Sequence, residues 1–233
     1  MHQSKRHSMR RGRLLLMIVA ALPAAVLPAI ALLAPTEATM GDAQRILYIH
    51  VPVAWLGLLG LLLTAGSGAL HLYTRNLSWD QWSQAAAELG WLCCGLTLVT
   101  GSLWGHAAWG TWWTWDPRLT SAFILWMIYS GYLLLRGQLD DALRRARLSA
   151  VFAVIGAMDV PLVIVAAHWF RGIHPATVTM EPAMRTALWL SVAGFTALFG
   201  LLLACRRSQL RRQVILASHK PQLFPSDLAE NKP

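Results

Sequence analysis

The chain has 233 residues and a formal net charge of +9, with 56% apolar and only 13% charged residues. Soluble domains carry about 25% charged residues, so the composition excludes an ordinary soluble domain and points to lipid. Apolar runs of roughly 18 or more residues read as membrane-spanning helices, and several such runs follow one another here.

Taken in chain order, spans are expected over residues 14–34, 49–73, 85–105, 119–135, 148–168 and 186–205. The first follows a basic start, as a secretory signal would. Its apolar stretch is longer than a signal core, and Pro23 and Pro28 interrupt it, so it is read as a retained span. The fourth is short, and the fifth carries Asp159. An ionisable group within a span usually faces the bundle interior, so Asp159 is expected to be protonated and to link helices. The fold class is therefore all-α: a polytopic six-helix transmembrane bundle with a short interfacial Trp-rich segment. Residues 1–205 form the transmembrane domain, and 206–233 a basic cytoplasmic tail.

Orientation follows from Lys and Arg, which accumulate on the cytoplasmic side of short loops. Five precede the first span (Lys5, Arg6, Arg10, Arg11, Arg13). Arg75 lies in the second loop and Arg136, Arg144, Arg145 and Arg147 in the fourth. The tail holds Arg206, Arg207, Arg211, Arg212, Lys220 and Lys232. The other side retains Arg45, Arg118, Arg171 and Arg185. Both termini are thus expected in the cytoplasm of a bacterium, with the protein multi-pass in its inner membrane. Nucleic-acid binding would need aromatic groups among the basic ones, and the Trp and Arg clusters fall on opposite sides. Cys93 and Cys94 are adjacent within a span and Cys205 ends another. They form neither CxxC nor CxxCH, so neither a redox pair nor a thioether attachment site is expected.

The most informative segment is 101–122, GSLWGHAAWGTWWTWDPRLTSA. Trp104, Trp109, Trp112, Trp113 and Trp115 crowd one outer loop. An aromatic belt at headgroup level needs one or two rings per helix end; five within twelve residues suggest a shelf for a large planar ligand. Gly105 and Gly110 are expected to punctuate the segment, leaving a short amphipathic helix in the interface. Asp116 followed by Pro117 reads as an N-cap and first helical position. Arg118 is suited to a ligand carboxylate or to a phospholipid headgroup. Of the eight histidines, His50, His106, His168 and His174 lie near the outer face. His50 in IHVP and His174 in IHPA flank the shelf at similar depth. One imidazole from each side would make a bis-His iron site. His106 and His168 are alternative ligands.

The string WGTWWTWDPRLTS, with RILYIHVPVAW and EPAMRTALW, resembles the haem exporter protein C family (CcmC) of cytochrome c maturation system I, whose Trp-rich motif is termed WWD. The resemblance runs from about Ile46 to Leu203. It implies haem b held non-covalently and transiently, with His50 and His174 as axial ligands to the iron. The five tryptophans, Asp116 and Arg118 then belong to the cofactor-binding surface. It also implies presentation of haem to a periplasmic haem chaperone (CcmE), beside an ABC-type transporter (CcmAB) and a small single-span subunit (CcmD). The stretch HWFRGIH departs from the family's usual Trp pair and Asn ahead of the second ligand. No GxxxxGK[ST] phosphate loop is present, and binding and delivery, not catalysis, are expected. Two other classes stay open at this point: a bis-His b-type electron-transfer cytochrome, and a subunit transporting haem or a small solute.

Overall fold

The computed structural model describes residues 33–169 and 180–223, together with Met17, Ala21, Ala29 and Ile30. Most of the expected first span, and His174, lie outside the described residues. A 3-10 helix, Asp42–Ile46, leads into α1 (Leu47–Thr74). Then come α2 (Leu77–Trp109), α3 (Pro117–Gly137), α4 (Ala142–Gly156), α5 (Asp159–Trp169) and α6 (Pro182–Leu223). Among the described residues there is no strand, only one isolated bridge between Glu37 and Gly41. Among the described residues, five stretches are long and apolar enough to cross a membrane: Asp42–Thr74, Leu77–Trp109, Pro117–Gly137, Ala142–Ala166 and Pro182–Ala217.

Three helices depart from the expected bounds. The second described helix starts at Leu77, well before the apolar run. Asn76 caps it, its side chain accepting from the Ser78 N–H at 2.8 Å; a cap with its own hydrogen bond starts a helix whether or not the next turns are apolar. The fifth expected span is two helices, because a turn at Ala157–Met158 separates α4 from α5. Asp159 opens α5 in its first turn, where the helix dipole favours a carboxylate. Its buried Oδ2 makes no hydrogen bond, so the expected helix-linking bond does not form through that oxygen. Finally, α6 continues past Cys205 to Leu223.

Backbone contact joins α1 to α2. A Cβ on Gly60 would lie 2.7 Å from Gly90 Cα, and one on Gly90 would lie 3.0 Å from the Gly60 carbonyl carbon. Small residues permit such close approach where water supplies no hydrophobic drive between helices. Leu61, Ala87, Leu125, Tyr129, Tyr132, Ala153 and Val160 fill the centre. Buried hydroxyls tie the helices together: Tyr129 Oη donates to Leu61 O at 3.1 Å, and Ser83 Oγ to Thr64 O at 3.0 Å.

Pro52 lies inside α1. Having no N–H, it leaves the Tyr48 carbonyl, four residues back, without a helical donor. Ser191 Oγ of α6 donates to that carbonyl at 2.6 Å. The proline therefore creates the acceptor that anchors α6 beside the start of α1, two residues from His50.

Candidate functional site

The starts of α1 and α3 and the end of α2 meet at one end of the bundle and enclose a cleft. The open-mouthed space they bound is about 1180 Å³, open solvent included. From His50 the cleft descends past Ala54 to Leu58, one face of α1, a depth of about 12 Å at 1.5 Å per residue. Gly101, Ser102 and Gly105 of α2 form another wall, Leu119, Ala122 and Leu125 of α3 a third, and Val163 and Ile164 of α5 close it.

The Trp-rich segment adopts a different form from the separate interfacial helix expected. Trp104, Gly105, His106 and Trp109 belong to the last turns of α2, and residues 111–116 are not helical. Gly105 does not break the helix. A Cβ there would sit 3.1 Å from Thr111 O, so this glycine lets the returning chain approach. Gly110 does terminate α2, with φ of 69°, and its N–H donates to His106 O at 2.9 Å. A left-handed C-cap is a position glycine occupies without strain. Ser102 Oγ then donates to Trp112 O at 2.7 Å, pinning the returning strand of chain to α2.

The five tryptophans take three kinds of position. Trp109, Trp112 and Trp113 line the cleft. Trp104 is 1% exposed and packs behind it, 5.9 Å from the His50 ring and 5.8 Å from Trp109. Trp115 is 75% exposed and meets Trp113 edge-on at 5.7 Å. Neither Trp104 nor Trp115 is among the described residues lining the cleft. His106 also stands outside it, its ring stacked at 3.9 Å and 7° on Trp112.

Asp116 is the N-cap of α3. Its Oδ1 accepts from the Arg118 and Leu119 N–H groups at 2.9 and 3.0 Å, and its Oδ2 accepts from Thr114 Oγ1 at 2.6 Å. These bonds orient the first turn of α3, from which Arg118 reaches the cleft wall. His50 is 8% exposed, with Nδ1 at 2.9 Å from Thr100 Oγ1. His168 lies in α5.

Among the described residues, three indoles, one imidazole and one guanidinium thus meet over an apolar slot. That donor set fits an iron porphyrin: an aromatic wall for the macrocycle, nitrogen for the metal, a cation for a carboxylate. Reading the sequence alone overlooks Thr97, Thr100, Gly101 and Ser102. The one signal for them is the pair Gly101 and Gly105, four residues apart and so on one helical face.

Fold and site together define a class: helical proteins of the membrane that carry an aromatic-walled cleft at one end of the bundle. The profile of the heme exporter protein C family matches residues 3–220. Heme exporter protein C of Bradyrhizobium diazoefficiens is 38% identical over 193 residues, 78% of this chain and 73% of that protein. The Rhodobacter capsulatus heme exporter protein C is 34% identical, covering 88% and 90% of the two chains. A putative cytochrome c biosynthesis ccmC-like mitochondrial protein of Marchantia polymorpha is 34% identical over 79% of each. The chain belongs to the heme exporter protein C family.

Proposed function

We propose that this chain binds haem at the periplasmic face of the bacterial inner membrane and presents it to a periplasmic haem chaperone during c-type cytochrome maturation. The observation that carries this reading is the convergence of His50, Trp109, Trp112, Trp113 and Arg118 on one apolar cleft. His50 supplies an iron ligand, Arg118 pairs with a propionate, and the indoles cover the porphyrin face. His174 supplies the second axial nitrogen. The open mouth leaves one edge of the cargo within reach of a chaperone such as CcmE, with CcmAB and CcmD as neighbours in the membrane.

Purification from membranes tests the reading. The parent should carry haem b with a bis-imidazole spectrum. His50→Gly and His174→Gly should each lose retention, and added imidazole should partly restore it by filling the vacant position. Parent-like haem content and spectrum in both variants would overturn the assignment.

Residues 14–34 add a sixth span in this reading, and both termini lie in the cytoplasm because Lys and Arg concentrate on that side. Alkaline phosphatase fused after Gly110 should be active, and fused after Gln138 inactive. The reverse pattern would invert the topology and move the cleft to the cytoplasmic face.

A further inference from the structure

We propose that Thr100 is a positioning residue for His50, fixing its tautomer and strengthening it as an electron donor to iron. The inference rests on the reading of His50 as an axial ligand. The Thr100 hydroxyl has three polar neighbours: Leu96 O at 2.7 Å, Thr97 O at 3.3 Å and His50 Nδ1 at 2.9 Å. A hydroxyl carries one proton and accepts through its lone pairs. Both carbonyls can only accept, and the shorter contact, to Leu96 O one helical turn back, takes the proton. The remaining contact then requires Nδ1 to donate. His50 is therefore the Nδ1–H tautomer, with its lone pair on Nε2, the nitrogen suited to a metal.

The neighbouring residues hold the ring in that orientation. A Cβ on Gly101 would lie 3.0 Å from His50 Cε1, so the imidazole edge rests against the backbone of α2. Buried Trp104 stands 5.9 Å away, tilted 58° to the imidazole. Sequence neighbours on α2 thus supply the acceptor for Nδ1 (Thr100) and the gap into which the ring fits (Gly101). A metal-ligating histidine whose other N–H meets an acceptor is oriented and made more basic, and loss of such a partner typically costs 10–100-fold in affinity or activity. Hydrogen bonding to an axial ligand is also a lever on haem potential. The competing account is that Thr100 only bonds its own helix, as threonines in apolar helices do.

Thr100→Val removes the hydroxyl and keeps the branched shape; Thr100→Ser keeps the hydroxyl. The measurements are the midpoint potential and the rate of haem loss of the purified, haem-loaded protein. Thr100→Val should shift the potential upward, because a weaker donor favours ferric iron less, and should weaken retention roughly 10–100-fold. Thr100→Ser should restore both. A parent-like potential and retention in Thr100→Val would overturn the inference, as would a Ser variant as impaired as the Val one. Nitrogen-15 NMR of histidine-labelled parent protein without haem gives an independent reading that needs no Thr100 variant. His50, assigned by loss of its signals in His50→Gln, should be protonated on Nδ1, and protonation on Nε2 would overturn the assignment. Parent-like haem binding by His50→Gly would instead overturn the ligand reading on which this inference stands.

Discussion

Arginine and tryptophan occur at both ends of the bundle and do opposite work there. At the end formed by Thr74, Leu77 and Gly137, Arg136 is buried, with Nη1 and Nη2 at 2.6 and 2.9 Å from the two Asp80 oxygens. Nη2 also donates to Gln84 Oε1 at 2.9 Å. Arg206 grips Glu88 at 2.5 and 3.0 Å, and Arg207 covers the Trp82 ring at 4.7 Å. Charges there are spent on neighbours within the chain. At the other end, Trp112 is 55% exposed and Arg118 faces the cleft. The same side-chain chemistry forms a clamp where acids stand opposite, and lines an open cleft where a gap stands opposite, the surface that receives the ligand in the proposed reading.

Breaking the clamp should give the largest change in stability. Asp80→Ala leaves a buried guanidinium without its carboxylate, a loss of about 3–5 kcal/mol for a buried pair. Thermal unfolding in detergent should shift far down, and Asp80→Ala combined with Arg136→Leu should recover part of it. Unchanged melting of the single variant would show that the pair is solvated and the contrast between the ends unreal.

The cleft end should respond in ligand binding instead. Trp112, Trp113 and Trp115 changed together to Ala should sharply reduce haem content while membrane level stays near the parent. Each ring stacked on porphyrin is worth about 0.5–1.5 kcal/mol beyond burial, by analogy with aromatic pairs. The geometry ranks the single variants: Trp113 also packs edge-on against Phe123 at 6.2 Å, so its loss should lower stability most, and Trp115 should matter least. A triple variant that is abundant and haem-replete would show that these rings do not receive the ligand.

The smallest effect sharpens the role of Asp116. Asp116→Ala should cost about 0.5–2 kcal/mol through the lost cap, whereas Asn caps as well as Asp. Asp116→Asn should therefore melt and bind haem like the parent. If Asn is as damaging to haem binding as Ala, the carboxylate's charge acts on the ligand and the cap is incidental.

Hydropathy made the lipid-crossing stretches legible, because a water-soluble core rarely needs an unbroken apolar run of that length. Helix ends were less visible. The polar turns from Leu77 onward and the Arg-rich turns of α6 are helical without being apolar, so apolarity traced the membrane and missed the helix. The break at Ala157–Met158 lies inside an unbroken apolar run, where nothing in composition marks it. At the site, the crowding of tryptophans on 101–122 was plain, as was the Asp116 cap. Their sorting into cleft wall, backing and rim was not, because Trp104 and Trp109 fall on different sides of one helix end. Thr100 was invisible for a related reason. A threonine in an apolar helix looks like ordinary back-bonding until the ring fifty positions earlier is brought to it.

The anchoring of α6 has a mechanical corollary. Ser191 holds Tyr48 near the cleft, and Arg206 holds Glu88 at the far end. The two grips are separated by about 22 Å of helix at 1.5 Å per residue, with no proline between them. A rod pinned at two points has little freedom to slide or swivel at one without straining the other. One unbroken helix therefore braces the first turn of α1 at one end of the bundle and the Glu88 turn of α2 at the other.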